Sequence, residues 1–403
     1  MPTTTATELA QLGGLVTTDS STSTVTVNGT LTATTITLPN SSVTAAKLAN
    51  PQYTGFRNRI INGDMRIDQR NAGALITSPG SPQYLVDRFW YRSTQVAKLN
   101  AQQNAGSVTL PAGFINYLGM TSTSAYSVLT TDRFNIAQSI EGLNVADFGW
   151  GTAGAVTVTL SFQVYSSLTG TFGGALKNSA EDRSYPFSYT ISSANTWTSI
   201  SITIAGDTSG TWLKTNGIGI LVYWGLGCGS TTSGTAGAWT AGNLFSATGA
   251  VSVVGTNGAT FYITGVQLEA GSTATDFERR PIGTELALCQ RYFYKTYETD
   301  VAVGTSTPDG AILCETLAAG TLTRLKAFNQ RLPVSMRATP TVTTYSQTGT
   351  AGRISVYSDS AQTLTVSSVS GESTNSLFSY LTTTASATAA QTYTFQATAS
   401  AEL

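Results

Sequence analysis

Along most of this chain apolar and polar residues alternate with a period of two, the pattern of strands that bury one face. Val156, Val158, Leu160, Phe162 and Val164 fall on every second position, as do Ile200, Ile202 and Ile204, then Ile218, Ile220, Val222 and Trp224. With YLVDRFWYRS, SVTLP, YSVLTT, RFNIAQSIE and ATFYITGVQLEA, such runs fill residues 84 to 280 and are separated by Gly, Asn and Ser turns. The pattern predicts an all-β domain over 56–281, an antiparallel β-sandwich of jelly-roll type. Upstream, TVTVNGTLTATTITL alternates around an Asn28-Gly29 turn, with Val25, Val27, Leu31, Ile36 and Leu38 near period two. That segment is too thin to bury both faces unaided. Residues 1–55 therefore read as a shaft or attachment segment whose core is completed by neighbouring copies, ending in SSVTAAKLAN, a short capped helical turn.

The period changes once. In GTELALCQRYFYKTY, Leu286, Cys289, Phe293 and Tyr297 recur at three- and four-residue spacing behind Thr284, a usable cap. The spacing predicts a connecting helix over 282–298. Strand-like runs resume in AILCETL, RISVYS, TLTVSSVS and QTYTFQATAS, which define a small C-terminal β-domain over 299–403.

Composition then narrows the chemistry. The 403 residues hold 21 Lys and Arg against 22 Asp and Glu, for a net charge of -1, and no His. Without imidazole there is no Ser-His or Cys-His catalysis and no His metal ligand. A near-neutral chain argues against a nucleic-acid partner, which needs clustered Lys and Arg. Cys228, Cys289 and Cys314 have no metal-ligand spacing, no DxDxDG loop is present, and no metal or cofactor is expected. No apolar run approaches the roughly 18 residues of a membrane span, and the first residues lack the features of a signal peptide, so neither insertion nor export is expected.

The few charges crowd at the two ends of the expected sandwich. Arg57, Arg59, Asp64, Arg66 and Asp68 stand at its start, Asp276, Glu278, Arg279 and Arg280 at its end. They read as a structural ion network that closes the domain and sets register more than stability.

Several linked motifs resemble bacteriophage tail-fibre and related receptor-binding proteins. In order they are NRIINGDMRIDQRNAG (58–73), YLVDRFWY (84–91), TWTSISITIAGDTSGTW (196–212), GVQLEAGSTATDFERRP (265–281), CQRYFYK (289–295) and RLPVSMRATPTVT (331–343). SSVTAAKLAN also resembles the short turns of phage fibre shafts. The resemblance implies a carbohydrate-binding-like jelly roll and a homotrimer, synthesised in the host cytoplasm and located in the virion tail. Residues 1–50 would attach to baseplate or adaptor proteins, and the C-terminal domain would be the distal tip that binds a host surface polysaccharide.

Glycan binding without catalysis needs aromatic platforms beside neutral hydrogen-bonding groups. Trp239, in the loop GSTTSGTAGAWTAGN, and Tyr345, Tyr357 and Tyr380, in the Ser/Thr-rich C-terminal domain, are the candidate ligand residues. Glycan cleavage needs two carboxylates across the bond. The acids here are few, Asp64 and Asp68 lie among arginines, and Glu181-Asp182 reads as a solvated turn. A non-enzymatic fibre is the expectation; a glycan-cleaving tailspike and a capsid-decorating or head-fibre protein are the alternatives.

Overall fold

A computed structural model describes residues 16–19, 24–27, 56–315, 322–327, 330–387 and 391–403. The chain divides into two units, Met1–Thr54 and Gly55–Leu403. Within the first, β1 (Val16–Asp19) and β2 (Thr24–Val27) form an antiparallel hairpin that sets Val25 opposite Thr18 and Val27 opposite Val16. Leu31, Ile36, Leu38 and the 41–50 turn lie outside the described residues.

The second unit is built almost wholly of strands. It opens with β3 (Ile76–Thr77), β4 (Gln83–Val86), β5 (Phe89–Ser93) and β6 (Leu99–Gln103). Next come β7 (Leu118–Ser122), β8 (Arg133–Glu141), β9 (Val158–Ser166) and β10 (Gly170–Lys177). They are followed by β11 (Arg183–Ile191), β12 (Thr198–Ile204) and β13 (Ile218–Cys228). Three short strands, β14 (Ser233–Gly234), β15 (Thr240–Ala241) and β16 (Ser246–Ala247), precede β17 (Thr260–Ala270). They assemble into a seven-stranded sheet, β15-β11-β10-β13-β8-β5-β4, and a six-stranded sheet, β12-β9-β17-β7-β6-β3, while β14 and β16 pair with each other.

The alternation explains why the two sheets stack. Phe134, Ile136 and Ile140 of β8 and Ile220, Val222, Trp224 and Leu226 of β13 share one core with Val158, Leu160, Phe162 and Val164 of β9. Phe162 meets Trp224 edge-on across the layers, with centroids 5.9 Å apart. One strand departs from strict alternation. β17 buries Phe261 and Ile263, then Val266 and Leu268, because a bulge between Thr264 and Gln267 shifts its register against β9. Gly265 takes the left-handed conformation at φ 62°, and a Cβ there would lie 2.7 Å from the Phe114 ring.

The connecting helix is shorter than the spacing predicts. α1 spans Ile282–Gln290, Pro281 precedes it, and Thr284 lies inside its first turn instead of capping it. The carbonyl of Pro281, whose φ is already fixed, accepts the Glu285 N–H at 3.0 Å. Phe293 and Tyr297 continue the numerical spacing but not the helix, since β18 (Phe293–Lys295) is drawn out by pairing with the end of the chain. Leu286 and Cys289 remain on α1 and pack with Ile61, Ile67 and Tyr292.

The remaining strands are β19 (Ile312–Glu315), β20 (Leu322–Ala327), β21 (Thr341–Tyr345), β22 (Arg353–Val356), β23 (Asp359–Ser370), β24 (Tyr380–Ala387) and β25 (Thr392–Ser400). Pairing runs β25-β19-β20-β24-β23-β22 and returns to β25, closing a six-stranded barrel around Ile354, Phe378, Leu381, Tyr393 and Phe395. The second half of β25 leaves the barrel and lies between β18 and β21. Among the described residues, no helix is long and apolar enough to cross a membrane.

After β25 the chain comes back to the sandwich. Glu402 accepts Arg70 at 2.9 Å and is ion-paired with Arg88, whose side chain is 1% exposed. Arg337 donates to the carbonyls of Ala401 at 2.8 Å and Glu402 at 2.9 Å. Replacing Glu402 with Ala is expected to cost about 3–5 kcal/mol, because it strands a buried guanidinium. Asp147→Ala, which breaks the outer Arg59–Asp147 pair, should cost at most about 1 kcal/mol. Urea unfolding of both variants checks this, and equal losses would contradict it.

Candidate functional site

The residues expected to form an ion network separate into three groups. The first ties the start of the sandwich to its end, largely through charged side chains on backbone groups. Glu278 accepts the N–H groups of Arg57 at 2.9 Å and Asn58 at 3.1 Å. Arg280 pairs with Glu278 at 3.2 Å and Glu285 at 3.3 Å and donates to the Ile60 and Asn58 carbonyls. Arg66 bonds Asp64 at 2.5 Å and the Arg280 carbonyl at 2.9 Å. The second group turns elsewhere: Arg59 reaches Asp147, and Asp68 caps a turn by accepting the N–H groups of Asn71 and Gly73. Asp276 and Arg279, the third group, make no ion pair among the described residues and stand in a surface groove.

The expected aromatic platforms are dispersed. Trp239 is not an uncovered loop residue. Pairing of β15 with Arg183 and Ser184 folds its loop onto the sheet edge. Its Nε1 donates to Ala205 O at 2.7 Å, and its ring meets Trp150, Trp212 and Tyr185 edge-on, each at 5.2 Å. Tyr345 packs edge-on against Tyr297 at 6.0 Å. Tyr357 and Tyr380 are 61% and 45% exposed, in the β22–β23 turn and at the start of β24. None of these four lines either of the two grooves on the outer faces of the sandwich.

The groove that holds Asp276 and Arg279 runs over the outer face of the six-stranded sheet and has a volume of about 520 Å³. Its floor follows from register: Ser199 of β12 is opposite Gln163 of β9, and Ser201 is opposite Ser161. These are the alternate positions of strands whose other face is core, so they must point outward. Ser199 donates to Gln163 Oε1 at 2.9 Å. One wall is the segment Ala274–Arg279, clamped at both ends. Buried Glu269 accepts the N–H of Thr275 at 2.8 Å and its hydroxyl at 2.7 Å, and the Glu278 N–H donates to Gln267 Oε1 at 2.8 Å. Between the clamps Phe277 packs on Phe114 at 5.3 Å, and the Arg279 guanidinium lies 4.6 Å from the Phe114 centroid. The Gly265 bulge makes the space for Phe114.

The groove therefore combines neutral donors and acceptors, an apolar ring pair and one guanidinium that has no ion pair among the described residues. Asp276 is the one carboxylate among its lining residues. In the sequence Asp276 and Arg279 read as part of a structural ion network, and Phe114, Ser161, Gln163, Ser199 and Ser201 carry no signal of a groove. The last four are the polar half of the β9 and β12 alternation, whose apolar half points to the core.

No family model and no curated protein sequence matches this chain. Among solved structures it is similar to the enzymatically active domain of bacteriophage CBA120 tailspike protein 4, at 10% identity and a TM-score of 0.28 over 53% of this chain and 21% of that one. This chain thus spans about a fifth of that tailspike domain's length. It is also similar to the family 11 carbohydrate-binding module of Clostridium thermocellum in complex with a β-1,3-1,4-mixed-linked tetrasaccharide, at 12% identity, 50% and 97% coverage and a TM-score of 0.24. A third is the N-terminal cellulose-binding domain of Cellulomonas fimi β-1,4-glucanase C, at 13% identity, 39% and 80% coverage and a TM-score of 0.20.

Burial at the domain junction pushes the Asp87 carboxyl up to about 6, against the pull of Arg70. An acid raised on folding stabilises most below its unfolded value near 4, and that contribution is lost as pH rises through about 6. Urea midpoints across pH 4–7 should therefore carry a falling component that Asp87→Asn removes. An identical pH profile for the variant would refute this assignment.

Proposed function

We propose that this chain is a non-enzymatic virion fibre that binds a cell-surface glycan through the groove on its six-stranded sheet. The observation that carries this reading is the groove itself. A row of hydroxyl and amide groups beside a ring pair matches a sugar, which offers hydroxyls at its edges and an apolar C–H face. Arg279 adds a planar set of donors that has no ion pair among the described residues. GVQLEAGSTATDFERRP, one of the motifs that resembles phage receptor-binding proteins, supplies Gly265, Phe277 and Arg279. A single lining carboxylate supports binding over cleavage, since glycoside hydrolysis needs two acids at defined separation.

On this reading the protein sits in the phage tail as a homotrimer attached through residues 1–50 and contacts host polysaccharide during adsorption. Titration calorimetry with polysaccharide isolated from host cells tests the groove. Wild-type protein should bind, and Gln163→Ala combined with Arg279→Ala should weaken binding about tenfold or more, roughly 1.4 kcal/mol. Unchanged affinity in the double variant, with its melting temperature preserved, would remove the groove from the proposal. Release of new reducing ends during incubation would overturn the non-enzymatic assignment.

A further inference from the structure

The opposite face of the sandwich carries a second cavity, of about 570 Å³, over the outer side of the seven-stranded sheet. Register again determines what lines it. Trp90 of β5 and Tyr223 of β13 flank Ala137 of β8, and Leu221 is opposite Ser139. The small Ala137 lets the two rings meet edge-on at 5.8 Å.

The charged side chains that line this cavity are Arg92, Arg133, Glu181 and Glu402. Glu181, expected in a solvated turn, is held by Arg92 and by the buried Lys177, each at 2.8 Å. Lys177 ends β10 and Arg92 lies on β5, so the two reach the carboxylate from different strands of the same sheet. That leaves Arg133. Its guanidinium stands 4.9 Å from the Phe245 centroid and has no ion pair or side-chain hydrogen bond among the described residues. Glu402 reaches the far end of the cavity but is committed to Arg70 and Arg88.

A second, independent feature points the same way. Trp90 and Ser139 line the cavity while only 8% and 1% exposed, and among the described residues neither the indole Nε1 nor the Ser139 hydroxyl has a hydrogen-bond partner. Buried polar groups in folded proteins are normally satisfied, so two orphans in one cavity mark a place for a ligand. Burial and the neighbouring Arg92 both hold the Arg133 pKa below its usual value, a strain that a bound anion relieves.

We propose that this cavity is a second saccharide site, selective for a sugar that bears a carboxylate: the acid pairs with Arg133, and sugar oxygens take up the free N–H of Trp90 and the hydroxyl of Ser139. Arg suits the task because its planar fork matches both carboxylate oxygens. The proposal rests on the reading of the sandwich as a glycan binder but uses a different face, so the two fail separately.

Calorimetry on the full chain would compare oligogalacturonate with the same oligomer after reduction of its carboxyl groups. The acidic form should bind at least tenfold tighter. Arg133→Gln should abolish that preference, Arg133→Lys should retain part of it, and Gln163→Ala with Arg279→Ala in the first groove should leave it intact. No preference in the wild type, or a preference that survives Arg133→Gln in a protein with an unchanged melting temperature, would overturn the proposal. So would oligoglutamate binding as tightly as oligogalacturonate with the same dependence on Arg133, since the site would then read acidic peptide. Host polysaccharide binding that depends on Arg279 alone would leave the first groove standing and remove the second.

Discussion

Arg88 is almost wholly excluded from water, and a guanidinium cannot stay there without an anion and acceptors for its donors. It finds both: Glu402, delivered from the far end of the chain, and the carbonyl of Ser139 at 2.5 Å, with the Tyr292 ring 3.6 Å away. Its backbone sits at φ 69°, in the left-handed region that few side chains other than glycine adopt. Such a conformation persists only where its surroundings over-determine it. Asn62 supplies part of that, donating to the carbonyl of neighbouring Asp87 at 2.9 Å. This ion pair ties the sandwich to the segment that follows β25, with Tyr292, just after α1, packed against the guanidinium. Arg70 reinforces it by bonding the same carboxylate while stacking 3.7 Å over Phe293.

The sandwich was legible because period-two alternation is a direct image of a sheet with one buried face. Ile220, Val222 and Trp224 lie where their spacing puts them. The closure of the sandwich was half legible. The charges of 57–68 and 276–280 do meet, yet mostly by way of backbone groups, which no side-chain pattern can reveal. Glu141, which takes both Arg291 and Tyr292, and Glu402 are separated from their partners by much of the chain and carry no local signature. The helix was over-extended for a related reason: Phe293 keeps helical spacing, but a strand from a hundred residues later claims its backbone. Trp239 was misplaced because two residues of sheet pairing are invisible beside a run of Gly, Ser and Thr.

The same bias hid both grooves. A strand was credited with its apolar half, and the polar half was treated as what merely faces solvent. On β9 and β12 that half is the groove floor; on β5, β8 and β13 it holds Trp90, Arg133, Ser139 and Tyr223. The scarcity of charge across the chain makes those exceptions easier to see, since Arg133, which has no ion pair among the described residues, stands out there.

The bulge at Gly265 has a bearing on how such a protein diversifies. On either side of it the residues of β17 alternate between core and surface in opposite numerical phase, so the extra residue there is what keeps both Ile263 and Leu268 in the core. The neighbouring groove positions, Ser161, Gln163, Ser199 and Ser201, project away from the core on strands of unbroken phase. Substitutions at those positions change what the groove presents while the core beneath keeps its packing, so the two are free to vary on separate schedules.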